Sequence, residues 1–197
     1  MALVARPKVH TDELRERLLD EAVHIVGEHG VSALSVRDAA RAADTSTSAV
    51  YSLFGNKEGL TRGVLIRAFD SFATAQESGV AVDAAAHLST LGVHYVAWAL
   101  EHPRLYELMF GQTLAGITST AETEAASARA IAPLRQGVQS AIESGLFRPA
   151  DVDTIVASLW SQVHGMAMLL LSGRFPAGAD PVAAATAVID GWRPDPG

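Results

Sequence analysis

The sequence predicts an all-α protein of about nine helices, in which a small N-terminal three-helix head precedes a larger C-terminal helical domain. Three observations support this fold class. Apolar residues recur at helical spacing from Leu14 onward. Residues 35–56 contain two short helical patterns separated by a tight turn, and residues 150–171 are apolar on nearly every side of a helix. We place the domain boundary after residue 56, which gives domains of residues 1–56 and 57–197.

The first helix is predicted over Thr11–Glu28. Leu14 and Leu18 begin its apolar stripe, and charged residues fill the opposite face. Gly30 follows, and glycine supplies the left-handed conformation of a helix C-cap. Residues 1–10 show no period and contain a proline, so we interpret them as a mobile arm. A solvated terminus is the favoured state of this arm, with a minor-groove or phosphate contact as the alternative.

Residues 35–56 have the layout of a helix-turn-helix DNA reader. Ser35 is placed to cap the first short helix, and Asp38 supplies a carboxylate at its positive end. Residues 45–48 begin the second helix with four hydroxyl side chains. Asn56 follows the end of that helix and is placed to cap the next one.

The run from Thr45 to Leu60, TSTSAVYSLFGNKEGL, resembles the recognition-helix signature of the TetR family of one-component transcriptional regulators. The resemblance extends back through the first helix and covers residues 11–67. It implies that Tyr51 and Lys57 bind operator phosphates and that the middle of the recognition helix faces the major groove. The predicted DNA-binding residues are Arg37, Ser46, Thr47, Ser48, Tyr51, Ser52 and Lys57.

Hydroxyl side chains also cap and solubilise short helices without binding a partner. The register of Tyr51 and Lys57 favours DNA contact over this explanation. Tyr51 has an alternative place in the core, beside Val50 and Phe54. Short hydroxyls cannot make the bidentate pairs that Arg makes to guanine, so we expect modest base discrimination per contact.

The fourth helix is predicted over residues 56–76, with an apolar stripe that includes Leu60 and Val64. Its N-terminus belongs to the head and its C-terminus to the acidic half of the chain. Any rotation of this helix would move the reading helix, so we interpret it as the transmission element. A rigid helix shared by both cores fits the sequence equally well.

Three more helices are predicted before residue 145. One spans Asp83–Glu101, the next begins at Pro103, which suits a first helical turn, and the third spans residues 121–144. Residues 111–120 are rich in Gly and Thr, which have poor helix propensity. We interpret them as a flexible segment that could close over a pocket.

His87, Leu91, His94 and Trp98 fall on one stripe of the Asp83–Glu101 helix. Metal binding is disfavoured, because the two histidines lie about 10 Å apart by helical rise. An apolar pocket with a polar anchor is the preferred functional interpretation, and core packing is the alternative for any single residue. The predicted effector-pocket residues are His87, Leu91, His94, Trp98, Tyr106, Met109, Phe110, Trp160 and His164.

The helix over residues 150–171 must be covered on two faces, because it is apolar all round. We expect one face in the core and the other against a second subunit, with Gly165 allowing close approach. A helix over residues 181–191 would pair with it to form a four-helix dimer interface with twofold symmetry. The predicted interface residues are Leu159, Val163, Met166, Leu170 and Val188.

Two C-terminal segments carry a second resemblance. Residues 160–165 (WSQVHG) and 102–109 (HPRLYELM) are similar to the C-terminal domain of a TetR subfamily named for its Trp and His-Gly positions. This resemblance implies a ligand-binding, dimerising domain without naming the ligand.

Charge is unevenly distributed along the 197 residues, whose net charge is -7. Residues 1–67 carry nine basic and nine acidic residues, whereas residues 68–197 carry six and thirteen. The head is therefore not strongly basic. DNA binding should depend on a few placed cations instead of a broad positive field.

The chain contains no cysteine, which is compatible with a reducing cytoplasm. No stretch of eighteen or more apolar residues lacks polar interruption, so we predict no membrane span. The N-terminus has no apolar core long enough for a signal peptide. We expect a cytoplasmic protein that needs no cofactor.

The leading hypothesis is a homodimeric repressor that binds double-stranded operator DNA of pseudo-palindromic sequence and is released by a small apolar or aromatic effector. Activation instead of repression stays open. The alternative is an enzyme or metal-binding protein that uses the C-terminal helical cavity, and a protein-interaction module is a third possibility. Against the enzyme, the sequence shows no Ser/His/Asp order, phosphate loop or paired carboxylates.

Overall fold

The computed structural model describes residues 8–77, 83–111 and 117–195. Within these ranges the backbone forms nine α-helices and a 3-10 turn at Val31–Ala33, and none of the described residues lies in a strand. The helices are α1 (Lys8–His29), α2 (Val36–Ala42), α3 (Thr47–Phe54), α4 (Lys57–Glu77), α5 (Ala84–Glu101), α6 (Pro103–Phe110), α7 (Ala121–Glu143), α8 (Val152–Leu171) and α9 (Pro181–Asp190). The predicted all-α fold class is confirmed.

The chain divides into two compact units. The first comprises Met1–Ala68 with Arg104–Glu124, and the second comprises Phe69–Pro103 with Ala125–Gly197. Helix α4 contributes residues to both units. The predicted boundary after residue 56 separates a DNA-binding part from an effector-binding part. The two compact units are defined by contacts between residues and not by function, so that boundary stays a prediction.

Helix α1 begins three residues earlier than predicted, at Lys8, so the end of the predicted arm is helical. The reason is local: no glycine or proline lies between Lys8 and Thr11 to stop a helix. Residues 1–7 of that arm lie outside the described residues. The helix ends at His29, and Gly30 has a φ of 80°, which is the C-cap geometry that its position predicted.

The core of the first unit forms where α1 meets α2 and the 3-10 turn, and where α2 meets α3. Leu18, Val26, Leu34 and Val50 are fully buried there. Burying each such side chain contributes about 1.5–3 kcal/mol relative to exposure. Helices α2 and α3 are only seven and eight residues long, so their stability comes from this packing and not from helix propensity.

Thr118, at the end of the segment that we interpreted as a flexible lid, is tied to the first turn of α4. Its backbone N–H donates to Glu58 over 3.0 Å. That hydrogen bond and, more weakly, the Arg62 guanidinium hold the pKa of Glu58 below its usual value. Residues 112–116 of the segment lie outside the described residues, so the lid stays a prediction.

The second unit is organised around α5, α8 and α9, each of which contacts the other two. Leu88, Val138, Ile155 and Leu159 belong to its core cluster. Val138 comes from α7, which continues through Pro133 although proline removes one backbone hydrogen bond.

Helix α8 is long and apolar enough to cross a membrane by length and composition alone, and it is the one such helix among the described residues. A core helix has the same composition, and α8 contacts α5 and α9. Its burial is one-sided, because Ile155 and Met166 are buried whereas Met168 and Leu169 are 49% and 42% exposed. The described residues therefore leave an apolar face of α8 uncovered.

Candidate nucleic-acid interface and small-molecule cavity

Ser35 and Asp38 fix the start of α2, as predicted. The Ser35 hydroxyl accepts from the Asp38 backbone N–H over 3.1 Å and donates to the Asp38 carboxylate over 2.5 Å. The Ser35 hydroxyl and, more weakly, the nearby Arg41 guanidinium lower the pKa of Asp38. The carboxylate therefore stays ionised at the positive end of the helix.

Asp44 makes the sharp turn between α2 and α3. It is the one non-glycine residue of the described chain with a positive φ, 49°. The Thr45 backbone N–H donates to the Ala40 carbonyl over 2.8 Å and closes the end of α2. A left-handed residue with a side chain costs about 1–2 kcal/mol, and Asp is among the residues that tolerate it best.

Helix α3 has one buried face and one exposed face. Ser46 caps it, since its hydroxyl accepts from the Ala49 N–H over 3.2 Å. Val50 and Phe54 are buried, and Leu53 is half-buried. The hydroxyl side chains of this short helix therefore point away from the core.

All seven predicted DNA-binding residues are exposed, and we call them together the α3 surface. They are Arg37, Ser46, Thr47, Ser48, Tyr51, Ser52 and Lys57. Tyr51 is 53% exposed, so its ring does not join Val50 and Phe54 in the core. The exposure of this tyrosine is consistent with a role at a surface and argues against the core alternative.

Arg15 of α1 supports the end of α3, a contact that the sequence analysis missed. Its Nη1 donates to the Leu53 carbonyl over 3.0 Å, and its Cζ lies 4.6 Å from the centre of the Phe54 ring. A cation at a helix C-terminus is favourable because the last carbonyls there carry partial negative charge. The spacing of α1 gave no signal for this contact, which joins residues 38 positions apart.

The junction between α3 and α4 leaves no room for a larger side chain at Gly59. A Cβ there would lie 2.0 Å from the Phe54 carbonyl oxygen. Gly55 has a φ of 77° and ends α3. The Asn56 side chain accepts from the Gly59 N–H over 2.8 Å, so the predicted cap of α4 is present.

Some cations of the first unit are paired with carboxylates. Arg41 pairs with Asp38 and Arg67 with Glu16. Among the described residues, no salt bridge is formed by Arg37 or Lys57. The α3 surface therefore carries two cations whose charge is available to phosphates, which agrees with a few placed charges instead of a broad field.

The nine predicted effector-pocket residues are divided between the two units. Tyr106, Met109 and Phe110 belong to the first unit, and the first two of these are buried in it. The other six belong to the second unit. A single pocket formed by all nine is not observed within either unit.

Tyr95 of α5 links two of the predicted residues of α8. Its hydroxyl accepts from Trp160 Nε1 over 3.2 Å and shares a hydrogen bond of 3.1 Å with His164 Nδ1. Burial lowers the pKa of His164, which favours the neutral imidazole. The Phe72 ring meets the rings of Tyr95 and Trp98 edge-on, with centroids 4.9 and 5.2 Å apart.

The other two histidines of the predicted effector pocket, His87 and His94, differ in their surroundings. His87 lies beside Gly137 of α7, where an added Cβ would be 3.1 Å from the His87 Cδ2 atom. His94 Nδ1 is buried and has no hydrogen-bond partner among the described residues. Across residues 8–77, 83–111 and 117–195, no three or more His, Asp or Glu residues group together as a metal site would require.

A cavity of about 390 Å³ lies within the second unit, lined mainly by α5, α8 and α9. Of the nine predicted pocket residues, Leu91 alone lines it. The other residues of that α5 stripe, His87, His94 and Trp98, do not line it. The sequence did not predict this cavity because α5 is apolar on several faces. The spacing of apolar residues does not show which of these faces lines a cavity.

Four of the five predicted dimer-interface residues line this same cavity: Leu159, Val163, Met166 and Leu170. The fifth, Val188, packs against the core cluster of the second unit. Val93, Leu100 and Val182 line the same cavity and are 51%, 45% and 59% exposed, so the cavity opens to the surface of the second unit. Met168 and Leu169 of α8 are further exposed apolar residues. The predicted interface residues stay a prediction.

Two short helices that meet at a tight turn, the second with hydroxyls outside and apolar residues beneath, define a helix-turn-helix DNA-binding protein. Residues 18–71 match the family described as "Bacterial regulatory proteins, tetR family". Residues 88–191, slightly more than half of the chain, match "Tetracyclin repressor-like, C-terminal domain". The chain belongs to the TetR family of transcriptional regulators, which confirms the resemblance. The finer likeness to the subfamily named for Trp and His-Gly stays a prediction.

Individual relatives agree with this assignment. The chain is 35% identical over 94 residues to the HTH-type transcriptional repressor ComR of Escherichia coli (strain K12), a match that covers 48% of this chain and 43% of ComR. A protein of unknown function from Rhodococcus sp. RHA1 has a similar structure, with a TM-score of 0.79, 27% identity, and coverage of 91% of this chain and 93% of that one. The TetR family regulator PfmR from Thermus thermophilus gives a TM-score of 0.63 at 26% identity, covering 88% and 95%.

Proposed function

We propose that this protein is a cytoplasmic, ligand-responsive repressor that binds a pseudo-palindromic operator as a homodimer. The observation that carries the proposal is the α3 surface, on which all seven predicted DNA-binding residues are exposed above a buried apolar face. ComR, a relative described as a transcriptional repressor, supports the direction of regulation.

The residues of the α3 surface would act in two ways. The Tyr51 hydroxyl and the Lys57 ammonium would bind phosphates and set the register of the head on the duplex. The hydroxyls of Thr47, Ser48 and Ser52 would face base edges in the major groove. Ser46 would contribute less, because its hydroxyl already accepts from the Ala49 N–H.

The homodimer would form through the exposed faces of α8 and α9. Met168 and Leu169 on α8 and Val182 on α9 are 49%, 42% and 59% exposed, and large apolar side chains grouped on a surface are typical of an interface. Two identical heads related by a twofold axis would read half-sites about 34–36 Å apart, one turn of DNA. The operator would therefore be a pseudo-palindrome.

The effector would be a small apolar or aromatic molecule bound in the second unit. Its affinity and that of the operator would be linked reciprocally, so each would weaken the other by the same factor. Helix α4 contributes residues to both units, which supports its proposed role as the transmission element.

The test is binding-site selection with the purified protein, followed by fluorescence anisotropy on the selected DNA at low salt. Lys57→Ala should weaken binding about 3–10-fold and reduce the slope of log K against log salt by about one, because one phosphate contact is lost. Tyr51→Phe should weaken binding without changing that slope. Arg174→Ala, an exposed residue outside the first unit, is the matched control and should bind as wild type does.

Two outcomes would contradict the proposal. If no selected fragment binds at low salt, the protein does not read DNA through the α3 surface. If Lys57→Ala and Tyr51→Phe both bind as the control does, the head acts in some other way, and a protein-interaction module becomes the better account.

A further inference from the structure

We propose that Glu58 is a positioning residue for operator binding, whose carboxylate Thr118 and Arg62 hold apart from Lys57. The inference rests on the proposed function, because it takes Lys57 as a phosphate contact. It concerns the first turn of α4, where a cation and an anion are adjacent in the sequence.

A carboxylate beside Lys57 is unfavourable for DNA binding unless it is held in place. Glu58 follows Lys57 directly and is the one acidic residue between residues 45 and 69. An unrestrained carboxylate there would repel operator phosphates and attract the Lys57 ammonium, which would then have less charge to offer the DNA. The effect matters here because the α3 surface carries two cations and no broad positive field.

Glu58 is not needed to cap α4. An acidic residue in the first turn of a helix is often engaged by the N–H groups of that turn. In this protein Asn56 has that role, since its side chain accepts from the Gly59 N–H over 2.8 Å. The Glu58 carboxylate therefore interacts with other donors.

Two donors converge on one oxygen of the Glu58 carboxylate. The Thr118 backbone N–H donates to Oε1 over 3.0 Å, and Arg62 Nη1 donates to the same atom over 2.7 Å. The hydrogen bond from the Thr118 N–H is the main reason that the pKa of Glu58 lies below its usual value. The carboxylate is therefore ionised at neutral pH, and these two donors are what restrains its charge.

Helix geometry places these donors on a different side of α4 from Lys57. Arg62 lies four positions after Glu58, the spacing at which Glu and Arg attract each other along one helix face. Lys57 lies about 140° from Arg62 around the helix axis, because successive residues are about 100° apart. The interaction with Arg62 and Thr118 therefore draws the carboxylate away from the Lys57 side of the helix.

The test is a double-mutant cycle on operator binding, measured by anisotropy. Thr118→Pro removes the backbone donor, since proline has no N–H, and should weaken operator binding about 3–10-fold at low salt. In the Glu58→Gln background the same change should alter affinity by less than about twofold, because no charge is released there. Glu58→Gln alone should bind within about threefold of wild type.

This cycle separates the effect of charge from a structural effect. The amide oxygen of glutamine still accepts a hydrogen bond, so a contact that only orders the backbone would make Thr118→Pro equally harmful in both backgrounds. The loss caused by Thr118→Pro should also shrink as salt is raised from about 50 mM to about 200 mM, since counterions screen the released charge. A structural loss would persist at the higher salt.

Glu122→Gln is the control for net charge, because Glu122 is exposed and belongs to the same unit. Thr118→Pro should weaken operator binding as much in that background as in wild type. If Thr118→Pro melts well below wild type, Arg62→Met removes the other donor instead. Its loss of affinity should then be larger with Glu58 present than in the Glu58→Gln background.

Two results would overturn the inference: equal losses in the wild-type and Glu58→Gln backgrounds, or operator binding by Thr118→Pro that matches wild type. Both leave the proposed function intact. Failure of the proposed function looks different, because wild type would then bind no selected DNA, or Lys57→Ala would bind as wild type does. In that case the inference falls as well.

Discussion

The guanidinium of Arg15 donates to the Leu53 carbonyl over 3.0 Å and so joins the middle of α1 to the last turn of α3. The same group lies over the Phe54 ring, at 4.6 Å from its centre. One residue of the first helix thereby holds both the backbone and a core side chain of the proposed reading helix. We expect the orientation of the α3 surface to depend in part on this contact.

Replacing Arg15 should weaken both folding and DNA binding. Arg15→Met keeps an apolar stem and removes the charged donor, so we expect a loss of about 1–3 kcal/mol in the free energy of unfolding. Operator affinity should fall about 3–10-fold, because α3 becomes less firmly oriented. Urea unfolding and anisotropy measure the two effects. Arg17→Met, exposed on the same helix, is the control, and equal losses in both variants would show that the Leu53 contact has no special role.

A methyl group at Gly59 should displace the end of α3. Its Cβ would meet the Phe54 carbonyl oxygen at 2.0 Å, and backbone must move to relieve that contact. We expect Gly59→Ala to cost about 1–3 kcal/mol, as overpacking does elsewhere, and to reduce operator affinity. Gly27→Ala, with nothing within 4 Å of the added Cβ, should instead stabilise α1 by about 0.5–1 kcal/mol. Thermal unfolding of the two variants decides between steric displacement and a general effect of alanine.

The turn at Asp44 should accept glycine and reject valine. Its φ of 49° is strained for a β-branched residue, so Asp44→Val should lower the free energy of unfolding by about 1–2 kcal/mol. Asp44→Gly should stay within about 0.5 kcal/mol of wild type. Chemical denaturation measures both, and a Val variant as stable as the Gly variant would mean that the turn changes conformation freely.

The free energy of unfolding should decrease as the pH falls below neutrality, because of His164. Burial holds the folded-state pKa of His164 below the value of 6.5 that applies to an exposed histidine. Above pH 6.5 the imidazole is neutral in both states and its contribution is fully present. As pH falls from 6.5 toward the folded-state pKa, the unfolded chain binds the proton first, so the free energy of unfolding decreases.

Unfolding of wild type and His164→Gln across pH 5–8 tests this expectation. The wild-type curve should fall more steeply below pH 6.5 than the variant curve. His24→Gln, an exposed histidine of α1, should keep the wild-type slope. Parallel curves for wild type and His164→Gln would show that this imidazole does not couple to folding.

Local signals in the sequence were sufficient for the head. Ser35 and Asn56 predicted two helix starts, and the hydrogen bonds that they accept are present. Hydroxyls on one side of α3 and apolar residues on the other predicted which side chains are exposed. Such signals lie within four residues of each other, which is why spacing alone reveals them.

The second unit was harder to predict, since its helices are apolar on more than one face. Leu159 and Met168 are both apolar residues of α8, yet one is buried and the other exposed. Spacing cannot decide which face turns inward, because that depends on α5 and α9, whose positions come from distant parts of the chain. Gln76 shows the same limit, as its hydrogen bond joins residues 54 positions apart.

The Ala49 N–H donates to the Ser46 hydroxyl and so caps α3, and this hydrogen bond bears on the operator sequences that the protein would use. With the Ser46 hydroxyl engaged in this cap, the groups that α3 would offer to base edges are the rotatable hydroxyls of Thr47, Ser48 and Ser52, which donate and accept equally well. Groups of that kind tolerate several bases at one position, so an alignment of natural operators should be weakly conserved beneath α3. Selection would act instead on the spacing of half-sites and on how easily the flanking steps bend.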